Sequence, residues 1–389
     1  MKTLTHTTTL ISKPFVFICI SSLLFSSSYN MLIPELPSYL AQMGGGEWKG
    51  LIIALFTLTA GLSRPFSGKL ADTIGRKPVM LFGAFVCIGI SSLYPVISSI
   101  AGFLFLRLVH GFSTGFTPTG LSAYIADSIP KARWGEALGI QGLFYSTGLA
   151  LGPAVGSLIK ANYSFDIMFY SSSAVALLAL TLMQQVPETL QKSGQFSWNS
   201  LKITKSDVIA KEVLPAGIIN FLYYLPFGVV LTLIPDWSET VGISNKGAFF
   251  IYFTLASLAV RFFAGKYSDT YGRIPLIKVG LLLMGIALLL LGSMHSATGV
   301  YLSATLYGLA MGILSPAANA WTIDLSNDHE RGKAMATMYI ALEAGIGLGA
   351  LCSGAYVQNH IQRTPVSILI AAALVFSGIV YLTLRRSKK

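Results

Sequence analysis

About a dozen stretches of roughly 20 apolar residues follow one another along this chain, from "FVFICISSLLF" near its start to "PVSILIAAALVFSGIVYLTL" near its end. An α-helix needs about 20 such residues to cross about 30 Å of hydrocarbon, so each run has the length of a membrane span. Only short polar connections remain, too little for a water-soluble domain. The alternating strands of about 10 residues that build an outer-membrane barrel are absent, and Leu, Ile, Ala and Gly fill the runs instead. Helices also satisfy their own backbone polar groups in lipid. With 53% hydrophobic and only 11% charged residues, the chain lacks the charge for a soluble surface. An all-α membrane protein of twelve spans, with the lipid bilayer as its solvent, is expected.

The spans begin near 14–40 and end near 364–384, and the longest polar segment, "PETLQKSGQFSWNSLKITKSD", lies between the sixth and seventh. It divides the chain into six-span halves at 1–186 and 209–389, joined by a linker at 187–208. Lys69, Arg76, Lys77, Arg133, Lys202, Lys205, Arg273 and the basic tail from Arg385 fall on one side of the membrane, against Lys49, Lys160, Lys246 and Arg363 on the other. Basic residues are retained on the cytoplasmic side, which places both termini and the linker there, in a cell membrane of the bacterial inner-membrane kind. The net charge of +11 is scattered between spans and forms no stripe, which argues against nucleic acid as a partner. Cys19, Cys87 and Cys352 lie inside apolar runs and suggest neither a disulfide framework nor a metal cluster. The first apolar run continues past signal-peptide length without an A-x-A-like site, so a retained span is expected. No nucleophile–base, metal or phosphate-loop constellation marks an enzyme, and no nucleotide-binding domain would couple the chain to ATP.

A polar segment breaks the apolar pattern twice. "RPFSGKLADTIGRKP", starting at Arg64, returns as "RFFAGKYSDTYGRIP", starting at Arg261, 197 residues later. Gly50 and Gly247, Gly111 and Gly308, Asp127 and Asp324, Gly148 and Gly345, and Gly152 and Gly349 obey the same offset, while "LIPE" (Leu32 to Glu35) and "LIPD" (Leu233 to Asp236) are 201 apart, a difference assigned to the loop that follows. Two homologous halves result. Six spans return the chain to its starting side, so the halves share one orientation about an axis along the membrane normal.

These segments resemble the motifs of the major facilitator superfamily, and within it the twelve-span drug:proton antiporters. "GKLADTIGRKPVML" is similar to motif A, with Gly68, Asp72, Gly75, Arg76 and Lys77 in place; its copy keeps Gly265, Asp269, Gly272 and Arg273 but has Ile274 for Lys77. "FLFLRLVHGFSTG" resembles motif B, with Arg107 and with His110 where Gln is more usual. "GLALGPAVG" resembles motif C, the element associated with antiporters, through Gly148, Gly152, Pro153 and Gly156. The resemblance implies that Asp72 is held against the start of span eleven, near Lys333, and latches the cytoplasmic side. Arg76 with Asp127, and Arg273 with Asp324, then read as charge pairs that break when the halves rock apart. The loops also serve topology through their positive charge. The motif C glycines form one small-residue face for close helix approach, at the interface between the halves or simply in tight packing.

Charges inside the spans are the remaining signal. Glu343 lies about eleven residues into span eleven, where a carboxylate is expensive; it is either the proton carrier or the structural partner of a buried Arg. Arg107 keeps its charge at any physiological pH and needs an acid, a carbonyl or an anionic substrate group; the resemblance links it to proton coupling. His110, three residues on, either titrates or packs. Glu35 and Asp236 are symmetric acids at the outward ends of spans one and seven, explained by interfacial solvation or by proton transfer. Arg64 and Arg261 sit one turn before the motif glycines, and snorkelling to the interface gives them structural or gating roles. The family fold would expose Tyr29, Asn30, Asn220, Tyr223, Tyr224, Tyr307 and Asn319 to a central cavity suited to a small amphipathic or polyhydroxylated molecule. The resulting expectation is a proton-coupled exporter, monomeric and without cofactor, that moves a drug-like compound or secreted metabolite by alternating access. An importer or facilitator of a sugar-like metabolite is the nearest alternative, and a non-transporting receptor or scaffold a more distant one. Three buried arginines hint at an anionic or zwitterionic solute such as a secreted metal-chelator, yet multidrug exporters tolerate similar residues.

Overall fold

A computed structural model describes residues 12–130, 133–190, 196, 202, 209–326 and 331–385. Among the described residues the regular structure is helical, in thirteen α-helices. The first half holds α1 (Lys13–Leu32), α2 (Leu36–Gln42), α3 (Lys49–Thr73), α4 (Arg76–Leu93), α5 (Ile100–Ser128), α6 (Trp134–Asn162) and α7 (Phe165–Gln184). The second holds α8 (Leu214–Thr240), α9 (Ala248–Tyr271), α10 (Arg273–Ser293), α11 (Ala297–Leu325), α12 (Arg331–Val357) and α13 (Thr364–Leu384). Among the described residues eleven helical segments are long and apolar enough to cross a membrane, α1 and α2 counting as one, and α9 contributes the shorter apolar stretch Ala248–Arg261.

Local chemistry sets the ends. Ser99 and Ser296, 197 residues apart, cap α5 and α11 by accepting hydrogen bonds from Gly102 N (3.1 Å) and Gly299 N (3.2 Å). Gly75 and Gly272 precede α4 and α10 with φ of 125° and 91°, a region that residues with a Cβ avoid. Pro34 and Pro37 flank the break between α1 and α2, whereas α8 carries Pro226 and Pro235 within one continuous helix. The two helices register at Leu23 with Phe221 and at Ser27 with Leu225, as their glycine contacts show, an offset of 198. The offset therefore rises to 201 inside the span, where α8 runs on and α1 stops and turns, and returns to 197 at Gly50 and Gly247, absorbed in the loop that follows.

Within each half the helices pack through matched glycines. A Cβ on Gly111 would strike the Phe56 carbonyl and one on Gly308 the Phe253 carbonyl, so α5 lies on α3 as α11 lies on α9. Between halves, α3 crosses antiparallel to α12, with Gly50 meeting Gly354, Thr57 meeting Gly347 and Gly61 meeting Glu343. The repeat-related pair, α6 and α9, brings Pro153 to Gly247 and Gly142 to Arg261. These two seams put the middles of the four helices face to face. The face where α1 and α8 begin and α7 and α13 end is the terminal face, and the opposite one the far face.

Candidate functional site

At the α3–α12 seam, Arg64 donates from Nη2 to Oε1 of Glu343 at 2.6 Å, with side chains 14% and 9% exposed. The guanidinium also lies over the Tyr339 ring, 4.7 Å from its centroid and one helical turn before Glu343. Arg64 thus turns inward and does not snorkel to the interface, because the antiparallel register sets a ring and a carboxylate directly opposite it. Tyr29 of α1 and Tyr145 of α6 share a hydroxyl–hydroxyl hydrogen bond beside this pair, close enough for both to feel the Glu343 charge. Breaking one side of a buried pair costs about 3–5 kcal/mol, so the bond holds the two halves together.

Arg261, at the α6–α9 seam, has different company. Its Nη1 donates to Ser146 Oγ at 3.2 Å, its Nε is buried without a hydrogen-bond partner, and no carboxylate contacts it among the described residues. The Tyr223 and Tyr224 rings, 4.5 Å apart at their centroids, lie within electrostatic reach of it. Tyr223 donates to Asn220 Oδ1 at 2.7 Å, and Asn220 donates to the Ala216 carbonyl at 2.9 Å, so both are spent on their own helix. Asn30 likewise donates to Ser26 O at 2.8 Å. Tyr307 is buried among Phe249 and Phe253 with its hydroxyl unpartnered, and Tyr224 and Asn319 are partly exposed.

Arg107 is 1% exposed and also lacks a carboxylate among the described residues. Its Nε donates to Ile52 O at 3.0 Å, its Nη1 reaches Tyr94 Oη at 3.4 Å, and its guanidinium lies 4.6 Å from the centroid of the Phe56 ring. His110 joins Tyr94 Oη through Nδ1 (3.2 Å) and Cys87 Sγ through Nε2 (3.4 Å), and Cys87 contacts Ser28 Oγ at 3.4 Å. Phe56 stacks on Tyr29, so one line of rings connects Arg107 to the surroundings of Glu343.

Ion pairs guard both faces. On the far face Lys49 of α3 reaches Asp236 of α8 at 3.2 Å, and Lys246 bonds Ser38 Oγ across the halves at 2.7 Å and Glu239 of its own half at 2.9 Å. Glu35 is 2% exposed, accepts from Ser157 Oγ at 2.7 Å and has Lys160 at 3.9 Å; the α6 side chains cover it, so it is not solvated at the interface. On the terminal face Arg76 holds Asp127 (2.9 Å) and Asp72, whose side chain is 71% exposed, while Arg273 holds Asp324 (2.9 Å) and Ser268 (3.0 Å). These pairs lie within halves. The side chains of Lys333 and Asp269, to which the latch expectation extends, are outside the described ones.

Two six-helix halves with matched seams, and motifs at both loops between the second and third spans, are what one transporter family shares. The family described as Major Facilitator Superfamily matches residues 18–214 and 216–389. The chain belongs to the Major Facilitator Superfamily. It is 24% identical to the staphylopine export protein of Staphylococcus aureus (strain Mu50 / ATCC 700699), covering 88% of each chain. With the multi-drug resistance efflux pump PmrA homolog of Lactococcus lactis it shares 25% identity over 91% of each. Among solved structures, the human organic anion transporter MFSD10 (TETRAN) superposes with a TM-score of 0.74 at 20% identity, covering 95% of this chain and 99% of that one. As a superfamily member the protein is a multi-pass membrane transporter and not an enzyme.

In this superfamily member the motif glycines Gly148, Gly152 and Gly156 face α1: a Cβ on them would meet Leu23 O, Ser27 O and Met31 O. Gly345 and Gly349 meet Phe221 O and Leu225 O on α8 in the same way. Both small-residue faces therefore serve packing inside a half, and within these two motif segments the other half is met by Pro153, against Gly247, and by Gly347, against Thr57. Gly68 has open space around it. The sequence reading missed Tyr145, Tyr339, Ser146, Gly142, Lys49 and Tyr94. The 197-residue offset leads from Glu343 to Ser146 and relates Tyr339 to Gly142, whereas Tyr145, whose counterpart is Leu342, carries no such signal.

Proposed function

We propose that the protein is a proton-coupled exporter of a small amphipathic or polar molecule, a drug-like compound or secreted metabolite, working by alternating access. The observation that carries this reading is the Arg64–Glu343 bond, a carboxylate and a guanidinium joining the halves at the middle of the α3–α12 seam. When Glu343 takes a proton its side of the bond loses its charge, Arg64 is left without a counter-ion, and the seam loosens. The proton is thereby tied to the facing state. Tyr29 and Tyr145 are placed to hydrogen-bond the carboxyl's surroundings, and the Phe56 ring links them to Arg107, whose fixed charge biases the same region. The relatives named for export and efflux support the outward direction, and the basic residues of the terminal face support its being cytoplasmic. On that orientation Lys49–Asp236 and Lys246–Ser38 clasp the outer side, Glu35 acts with Ser157 and Lys160 in the same gate, and Asp72, Arg76, Asp127, Asp269, Arg273 and Asp324 act in the inner one. Energy comes from the proton gradient without a cofactor, and a monomer suffices.

The test is transport by proteoliposomes with an imposed pH gradient, using a panel of dyes, sugars and chelators. Wild type should move solute opposite to the protons, and Glu343→Gln should lose gradient-driven accumulation by about ten-fold or more while keeping downhill exchange. Unchanged coupling in Glu343→Gln rules out the carrier assignment, and solute accumulation in the same direction as the protons rules out export.

A further inference from the structure

Arg64 and Arg261 are 197 residues apart in the two repeats, and the residues facing them across the seams obey the same offset. Arg64 meets Tyr339 and Glu343 of α12. The residues 197 positions earlier are Gly142 and Ser146 of α6, and Arg261 meets those: Nη1 is 3.2 Å from Ser146 Oγ and 3.9 Å from the point where a Cβ on Gly142 would stand, the one contact within 4 Å of that point among the described residues outside the local helix backbone. One seam supplies its arginine with an aromatic ring and a carboxylate. The other offers a hydrogen atom and a hydroxymethyl group in their place.

A guanidinium keeps its charge and is costly inside a membrane unless something satisfies it. Arg261 has one hydroxyl, a buried Nε with no partner among the described residues, and two tyrosines within electrostatic reach. The Arg64 seam shows what completes such a group in this fold: a flat ring against the guanidinium face and a carboxylate on its edge. Carboxylates fit the planar fork of N–H donors better than single-atom acceptors do.

We propose that Arg261, Ser146, Gly142 and the Tyr223–Tyr224 pair form the substrate's anion subsite, and that it takes an aromatic carboxylate. The ligand ring lies over Gly142, where Tyr339 lies in the other copy, and the ligand carboxylate bonds Arg261 and Ser146, where Glu343 lies. Arg64 is already satisfied by Glu343, and Arg107 by the Ile52 carbonyl, the Tyr94 hydroxyl and the Phe56 ring, so the subsite is single and the substrate class is monoanionic. This rests on the transport reading above, because it presumes that the seam opens to solute.

Equilibrium binding to the purified full chain in lipid nanodiscs tests it, with radiolabelled 1-naphthoate and its neutral amide, 1-naphthamide, as probes. Wild type should bind naphthoate about ten-fold or more tighter than naphthamide. Arg261→Gln should abolish the preference, and Ser146→Glu, which supplies the missing carboxylate from the protein, should abolish it too. Gly142→Tyr should weaken both probes by filling the ring position, and keeps the proposal open to refutation if either charge variant fails to elute as a folded monodisperse species. No preference in wild type, a preference that survives in folded Arg261→Gln or Ser146→Glu, or undiminished binding in Gly142→Tyr would overturn the subsite. Gradient-driven transport of the dye panel by the same preparations separates the two readings: no preference with driven transport intact refutes the subsite alone, and no driven transport in wild type refutes the reading beneath it.

Discussion

Arg64 and Arg261 stand at one position of one repeated plan, yet the seam around the first is closed by Tyr339 and Glu343 and the seam around the second by Gly142 and Ser146. The backbone framework is the same in both: glycine contacts at Gly111 and Gly308, serine caps at Ser99 and Ser296, and turns at Gly75 and Gly272 all recur. Duplication explains that framework, and divergence in four seam residues turns two equivalent arginines into two different chemical groups. An internal ion pair can respond to a proton. Arg261 has no such internal acid among the described residues.

Making the seams alike in the opposite sense gives the largest expected effect. Glu343→Ser copies Ser146 into α12 and leaves Arg64 buried without its counter-charge, which should cost about 3–5 kcal/mol of stability and lower the melting temperature clearly, together with loss of proton-driven transport. The double variant Arg64→Met with Glu343→Met should recover most of the stability but none of the coupling, since an apolar pair replaces a buried ion pair at little cost. A Glu343→Ser protein that melts with wild type would mean that the two seams are energetically equivalent and the comparison is empty.

The far-face lysines give a smaller contrast. Lys49 ties its half to a carboxylate of the other, Asp236, whereas Lys246 crosses only to the Ser38 hydroxyl and spends its charge on Glu239 of its own half. Lys49→Met should therefore loosen the far face more than Lys246→Met. Thr57 is 4% exposed against Gly347 in the α3–α12 seam, so a Thr57→Cys reporter in a Cys352→Ser background reads opening by its rate of maleimide labelling. Partly exposed pairs are worth about 0.2–1 kcal/mol, which sets the expected acceleration at roughly 1.4- to five-fold for Lys49→Met. Equal or reversed rates would show that the lysines are interchangeable.

Spans, halves and the repeat were legible because bilayer thickness and duplication act on long windows of sequence, where single residues average out. Glu343 was legible for the opposite reason, as one carboxyl in an apolar run. Its partner was not: Arg64 reads as a residue able to reach the interface, and only the antiparallel register of α3 on α12 sets it against Glu343 and Tyr339. Glu35 reads as solvated for the same reason, since nothing local shows that Ser157 and Lys160 of α6 cover it. Gly142 and Ser146 carry no signal alone, because small residues in a span ordinarily mean close packing. Their meaning comes from what the repeat puts at Tyr339 and Glu343.

The smallest expected effect concerns the two repeated loops. Glu188 follows α7 and closes the start of α4, accepting hydrogen bonds from Arg76 N at 3.0 Å and Lys77 N at 2.9 Å; the residue 197 positions on is Arg385, which lies over the Trp321 ring and cannot accept from a helix N-terminus. Partial burial pushes the Glu188 carboxyl up, but the N–H groups of Leu190, Lys77, Arg76 and Thr189 together outweigh it and hold it below its ordinary value of 4.5. A carboxyl lowered by folding stabilises the fold above that value and stops doing so as pH falls through its folded one. An exposed charge at a helix start is worth about 0.3–1 kcal/mol, so Glu188→Gln should lower the melting temperature by only about 1–2 °C near neutral pH. The deficit should shrink as pH drops below 4.5, where wild type loses the same charge. Arg385→Gln should show neither the deficit nor its pH dependence, and a matching pair of curves would place the stabilisation in loop charge generally, independent of the cap that Glu188 forms.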